Sequence, residues 1–254
     1  MRYLDQALEA YGKSDVYPFH MPGHKRQKTV DFNPYKIDIT EIEGFDNLHH
    51  AEGVLLEAQK KAEKLYGSEE SHFLINGSTA GILSAVSACA KKTVLIARNC
   101  HKAVYHAALI RNLDVYYVYP EIQEEFMLNG GINPADVERS LEEHPEIEAV
   151  VITSPTYDGI VSDVKRIAEI AHAHKKPLIV DEAHGAHFRY HKGFPVSALD
   201  LGADVVIQSL HKTLPAFTQT SILHVKGDLV DRERLEHYLQ IFQSSSPSYL
   251  FMAG

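Results

Sequence analysis

From about residue 70 onward, short apolar runs alternate with longer stretches in which apolar residues recur at helical spacing. The runs predict strands over His72–Ile75, Val94–Ala97, Val115–Tyr119, Ala149–Thr153, Leu178–Val180, Val205–Gln208 and Ser221–Val225. The stretches predict helices over Thr79–Ala90, His101–Arg111, Pro134–Glu143 and Asp163–His174. In the first helix Ile82, Leu83, Val86 and Cys89/Ala90 form one apolar face, and in the third Asn133 caps a turn opened by Pro134. Strands that alternate with helices in this order predict an α/β domain: a three-layer αβα stack around a mostly parallel sheet.

The flanks follow a different pattern. Residues 1–50 hold an amphipathic helix to about Gly12 and then a Pro/Gly-rich extended segment, Tyr17-Pro18-Phe19-His20-Met21-Pro22-Gly23-His24-Lys25, which is expected to drape over the main domain or a partner subunit. Residues 51–227 form the expected large domain. Residues 228–254 begin a helix running through Phe242 and end in the apolar Phe251-Met252-Ala253-Gly254, which reads as a chain interrupted on its way into another element.

Composition narrows the function classes. A 254-residue chain that is 44% hydrophobic can bury a substantial core, and a net charge of −9 disfavours nucleic acid and anionic membranes as partners. The one dense basic cluster, His24-Lys25-Arg26-Gln27-Lys28, is too short to reverse that. Two cysteines, Cys89 and Cys100, point to a reducing, cytoplasmic setting. No apolar run approaches the roughly 20 residues of a membrane span. Sixteen histidines occur without the spacing of a dedicated zinc site, so no metal is expected.

Ligands of an open parallel sheet bind outside the carboxyl ends of its strands, so the residues after each run carry the chemistry. Asn76-Gly77-Ser78-Thr79-Ala80-Gly81 offers small residues, hydroxyls and a helix start suited to phosphate, although taken alone it is better explained as a plain Ser/Thr helix cap with a glycine turn. Arg98-Asn99-Cys100-His101-Lys102 places the His101 imidazole at a helix start. Asp181 ends a run that reads as buried and needs a cationic partner, and Lys212 follows another such run. A lysine nucleophile beside a buried carboxylate suits pyridoxal 5'-phosphate, whose aldehyde needs an amine and whose ring nitrogen needs an anion. A structural salt bridge or a Mg²⁺ ligand is the alternative for Asp181, and a surface lysine is the alternative for Lys212. The joint occurrence of all four features in chain order favours the cofactor reading.

These motifs, together with Pro22-Gly23-His24-Lys25, Asp46-Asn47-Leu48-His49, Pro155-Thr156-Tyr157-Asp158-Gly159, Asp181-Glu182-Ala183-His184-Gly185-Ala186-His187, Ser209-Leu210-His211-Lys212 and Thr218-Gln219-Thr220-Ser221, resemble the Orn/Lys/Arg decarboxylases. That family has the aspartate-aminotransferase-like fold type of pyridoxal-phosphate enzymes. The resemblance implies Lys212 as the lysine that anchors the cofactor, Asp181 as partner of its ring nitrogen and His101 stacked on its face. Ser78, Thr79, Ser209 and His211 would surround the phosphate, and His184 would lie near the ring oxygen or the substrate carboxylate. It further implies Lys212, His211 and His184 as the catalytic set, Ser154 or Thr156 as candidates to approach the ring hydroxyl, a basic amino acid as substrate and a homodimer or higher oligomer. Glu41, Glu43 and Asp46 are candidates for the substrate's distal cation by proximity alone. Lys212-Thr213-Leu214-Pro215-Ala216 departs from the pattern, with a bulky leucine and a proline where relatives tend to have small residues. Transamination or aldol cleavage on the same cofactor, and a non-catalytic remnant that binds a partner, remain as rival expectations.

Overall fold

In a computed structural model of the chain, residues 3–27 and 31–253 are described, so Lys28 of the basic cluster and Gly254 lie outside the described residues. The elements run α1 (Leu4–Gly12), α2 (Val54–Tyr66), β1 (Glu70–Leu74), α3 (Gly77–Cys89), β2 (Thr93–Ala97), α4 (Lys102–Arg111), β3 (Asp114–Val118), β4 (Pro120–Gln123), β5 (Leu128–Ile132), α5 (Pro134–Glu143), β6 (Val150–Thr153), α6 (Val164–Ala173), β7 (Leu178–Asp181), β8 (Val205–Gln208), α7 (Leu210–Thr213), β9 (Ser221–Val225), α8 (Arg232–Phe242) and α9 (Tyr249–Ala253). Seven strands form one sheet in the order β1-β9-β8-β7-β6-β2-β3, and β4 and β5 pair separately as a hairpin.

β8, β7, β6, β2 and β3 run parallel, whereas β9 is antiparallel to both β8 and β1. The reversal has a plain cause. Only residues 209–220, with the single turn of α7, join β8 to β9, and a parallel partner needs a full crossover.

Strand alternation divides the core in two. Val94, Ile96, Val151, Ile179, Val205 and Ile207 face the layer of α3, α4 and α8, while Leu95, Val150, Ile152, Leu178, Val180 and Val206 face α5 and α6. The three-layer αβα stack expected from the sequence is therefore present. α8 lies in the first layer, where its Leu235 and Leu239 join the same core as Val86 of α3. Among the described residues no helix is long and apolar enough to cross a membrane.

α2 was not expected, because its apolar stripe is thin and is interrupted by buried Gln59, whose side-chain oxygen accepts from the Phe73 N–H of β1. The exposed β4–β5 hairpin also escaped the pattern, since Pro120 and Gly130-Gly131 read as breakers. The N-terminal segment does drape over the main domain. The Gly23 N–H donates to the His211 carbonyl (2.7 Å), and a Cβ on Gly23 would sit 2.5 Å from the Leu214 carbonyl oxygen, so only glycine permits this crossing. Leu214, the bulky departure after Lys212, thus meets the segment through its backbone.

Asp46 secures the start of α2, where Gly53 has no side chain to act as a cap. Its carboxylate accepts the N–H groups of Asn47 (2.9 Å), Glu52 (3.0 Å), Gly53 (2.8 Å) and Leu55 (3.0 Å). Burial pushes its carboxyl up, but these donors outweigh burial and hold it at about 2. Asp46→Ala is expected to lower the unfolding free energy by about 1–2 kcal/mol in urea titrations at neutral pH. The loss should shrink as pH falls from the ordinary 3.8 toward 2, where the native carboxylate itself is protonated. Equal stability of the two proteins at pH 7 would show that the cap contributes nothing.

Candidate active site

The carboxyl edge of the parallel strands opens into two adjoining lobes. One, of about 250 Å³, is lined by Asn76, Gly77, Ser78, Thr79, Ser209, His211, Thr218 and Gln219, among others. The other, of about 480 Å³, is bounded by Phe19, His20 and Met21 of the N-terminal segment and by Asn99, Thr153, Tyr157 and His184. His101, Asp181, Ala183 and Lys212 line both. The structure therefore brings together all eight residues singled out from the sequence: Ser78, Thr79, His101, Asp181, His184, Ser209, His211 and Lys212.

Each is positioned by its element. Asp181 ends β7, the middle strand of the seven-stranded sheet, and is 4% exposed. Glu182 follows on the opposite side, where it accepts from Ser197 Oγ (2.8 Å), the Ala198 N–H (2.7 Å) and Gln208 Nε2 (2.6 Å). The Asp-Glu pair is thus divided between cleft and scaffold. Asp181 accepts only the Ala183 N–H (3.1 Å) among its hydrogen bonds, and burial pushes its carboxyl up against the pull of Lys212, that N–H and His101. Lys212 sits in the single turn of α7. Burial holds its ammonium below the usual lysine range while Asp181 pulls it back.

Three of the four histidines that line the cleft, His101, His184 and His211, are driven toward the neutral form. His101 caps α4, its Nδ1 accepting the Ala103 N–H (3.2 Å), and burial lowers its basicity. His211 Nδ1 donates to the Thr220 carbonyl (2.8 Å), which leaves Nε2 as an acceptor, and burial again lowers it. His184 Nε2 lies 3.0 Å from Lys212 Nζ, and burial together with the charges of Lys212 and His211 brings it down to about 4. The Tyr157 ring, 84% exposed, stands edge-on to His184 at the mouth.

At the other end Ser78 Oγ is hydrogen-bonded to Ser209 Oγ and lies 3.3 Å from Ser221 Oγ. Asn76 does not cap α3, because its side-chain oxygen instead accepts the Ser244 N–H (2.9 Å). Gly77 adopts φ +71°, a conformation that glycine alone takes without strain, and donates to the Gln219 carbonyl (2.9 Å). An uncapped helix N-terminus surrounded by hydroxyls suits an anion. A buried carboxylate with one backbone donor suits a cationic ring N–H. The residues present thus fit pyridoxal phosphate at both ends.

Several sequence-level candidates fall outside the cleft. Ser154 Oγ accepts the Ser162 N–H (3.1 Å) and Thr156 Oγ1 the Ile160 N–H (3.1 Å), so both hydroxyls serve the turn after β6. Asp46 is occupied by backbone donors, and neither Glu41 nor Glu43 lines either lobe. Conversely Asn99, Thr153, Thr218 and Gln219 do line the cleft and were not singled out. Strand parity could have indicated Thr153, since it pairs with Asp181 across β6 and β7.

A mostly parallel sheet, packed between helical layers, with a lysine and a buried acid at the carboxyl edge of its parallel strands, defines the aspartate-aminotransferase-like α/β class. The chain belongs to the Orn/Lys/Arg decarboxylase family, whose major domain matches residues 3–254. It is 42% identical to an uncharacterised Bacillus subtilis protein, YaaO, over 99% of this chain and 54% of that protein, and 33% identical to the Bacillus subtilis arginine decarboxylase over 99% and 53%. The structure of Pseudomonas aeruginosa lysine decarboxylase A superposes with a TM-score of 0.75 at 25% identity, covering 98% of this chain and 38% of that one. The chain thus spans about half the length of the curated relatives it matches.

The histidine environment sets an acid sensitivity. An unfolded chain protonates His184 near 6.5, the native protein only near 4, so stability should fall as pH drops through that window. His184→Gln is expected to show a smaller fall in urea midpoint between pH 7 and pH 4 than the wild-type protein. Superimposable pH profiles would assign the acid sensitivity to other groups.

Proposed function

We propose that this domain binds pyridoxal 5'-phosphate on Lys212 and serves the decarboxylation of a basic amino acid (arginine, lysine or ornithine) to the corresponding amine. The observation that carries the reading is the shared cleft in which buried Asp181 and Lys212 electrostatically face each other beside the uncapped start of α3. When bound, the cofactor supplies an electron sink for the pair left behind by carbon dioxide. Asp181 would keep a proton on the ring nitrogen, Ser78, Thr79, Ser209 and His211 would hold the phosphate, and His101 would supply a stacking surface for the ring. Lys212 Nζ and His184 Nε2, 3.0 Å apart, share protons at the substrate end, while His211 faces the phosphate lobe. Proton return to the substrate carbon is therefore assigned to Lys212 rather than His211.

A homodimer in the cytoplasm accords with this reading. No residue of α1 is buried, and Tyr3, Leu4 and Leu8 are exposed, which supports subunit association. One observation favours a second reading, in which this chain alone holds the cofactor without turnover. Asp181 is the only carboxylate among the described residues lining the two lobes, so the acid that receives a distal cation comes from elsewhere, such as a second copy or a further domain.

Borohydride reduction after incubation with pyridoxal 5'-phosphate, followed by peptide mapping, should place the label on Lys212 and on no other lysine. Lys212→Ala should take up none, and Asp181→Ala should release carbon dioxide from the preferred amino acid roughly a hundredfold more slowly. Label elsewhere refutes the site. Label on Lys212 with no carbon dioxide from any of the three amino acids, in a protein shown by native mass spectrometry to be a homodimer, selects the binding-only reading.

A further inference from the structure

The two lobes are not equivalent, and pyridoxal phosphate is not symmetric. In its ring the nitrogen and the aldehyde-bearing carbon lie opposite each other, while the 3-oxygen and the phosphate arm flank the aldehyde carbon on opposite sides. On the reading just proposed, Asp181 and Lys212 fix the axis from nitrogen to aldehyde. Ser78, Thr79, Ser209 and His211 then fix the phosphate side, toward α3, β8 and β9. The 3-oxygen must point the other way, toward the carboxyl ends of β6 and β2.

Two polar atoms wait there. Thr153 Oγ1 and Asn99 Oδ1 are both withdrawn from solvent, and neither has a hydrogen-bond partner. Both residues line the lobe that also contains Asp181 and Lys212. Thr153 ends β6 directly across from Asp181 on β7, and residues paired across parallel strands project from the same face of a sheet. Asn99 follows β2, the next strand out. A buried polar atom without a partner is uncommon in a native protein and marks a place where a ligand atom is missing. The other hydroxyls near this turn, Ser154 and Thr156, each accept a backbone N–H of the turn and line neither lobe, and His184 is paired with Lys212.

We propose that Thr153, with Asn99 beside it, hydrogen-bonds the 3-oxygen of bound pyridoxal 5'-phosphate. A hydroxyl can donate or accept and a carboxamide can present either end, so the pair serves that oxygen whether or not it carries its proton. It also sets the ring's rotation about the Asp181–Lys212 axis, which the phosphate cluster alone would fix at one side only.

The test compares the affinity of the cofactor-free protein for pyridoxal 5'-phosphate with its affinity for 3-deoxypyridoxal 5'-phosphate, both by absorbance titration, in wild type, Thr153→Val, Thr153→Ser and Asn99→Ala. The wild-type protein should prefer the natural cofactor. Thr153→Val should cut that preference by about tenfold through weaker binding of the natural cofactor, with the deoxy compound bound as before. Thr153→Ser keeps the hydroxyl and should keep the preference, which separates a lost hydrogen bond from a disturbed fold; Asn99→Ala should lose part of it. An unchanged preference in both Thr153→Val and Asn99→Ala, or an equal loss of affinity for both compounds, overturns the assignment. These results leave the cofactor reading intact when borohydride still labels Lys212, whereas absence of that label in the wild-type protein defeats both.

Discussion

A carboxylate with almost no access to water stands at the centre of this structure. Asp181 lies at the end of β7, with β6 and β8 on either side, and its burial raises the free energy of its charged form. One backbone N–H does not offset that, and the surrounding elements supply further partners: α7 brings the ammonium of Lys212, and the cap of α4 brings the imidazole of His101. The conflict is built into the dipeptide itself. Successive residues leave a strand in opposite directions, so Asp181 turns to the cleft and Glu182 to three donors in the scaffold.

The sheet topology explains why so many separate segments converge on that carboxylate. β2, β6, β7 and β8 all deliver their carboxyl ends to one edge, each followed by residues that line the cleft. β9 runs the other way, which brings its beginning rather than its end to the same edge. Ser221, its first residue, pairs with Leu74 at the end of β1 and lies beside Ser78. The antiparallel strand is therefore what closes the hydroxyl cluster of Ser78, Ser209 and Ser221. A parallel β9 would have placed Ser221 at the opposite edge.

The inner strands β2, β6, β7, β8 and β9 were legible because each is a largely apolar run buried on both faces, and the residues after them stood out because polarity changes abruptly there. β8 and β9 have the bounds the sequence predicts, as does α5, whose Asn133 cap and Pro134 mark its start. α2 was hidden because a buried glutamine carries one of its tertiary contacts, and apolar periodicity does not register a hydrogen bond to Phe73. Within the cleft, the two hydroxyls singled out after β6, Ser154 and Thr156, each accept a backbone N–H of the following turn and line neither lobe, whereas Thr153, which pairs with Asp181, lines the lobe beside it. Asp46 illustrates the same limit, since a motif acid can be wholly committed to backbone donors from the next helix.

The electrostatics of the cleft run against those of the whole chain. A protein of net charge −9 carries here a lysine, four histidines and a single carboxylate. Were His101, His184 and His211 all cationic, their repulsion of Lys212 would add to the cost of burial, and each of these is instead shifted toward neutrality by burial. The neutral forms have definite hydrogen-bonding roles. His101 accepts at Nδ1 and so carries its proton on Nε2, whereas His211 donates from Nδ1 and so accepts on Nε2. The N-terminal segment completes the arrangement: Gly23 ties it to the His211 carbonyl, and Phe19 and Met21 wall the lobe beside His184 with apolar surface. Burial of the Lys212–His184 pair holds the lysine ammonium below its usual range, the direction that favours a free, nucleophilic amine.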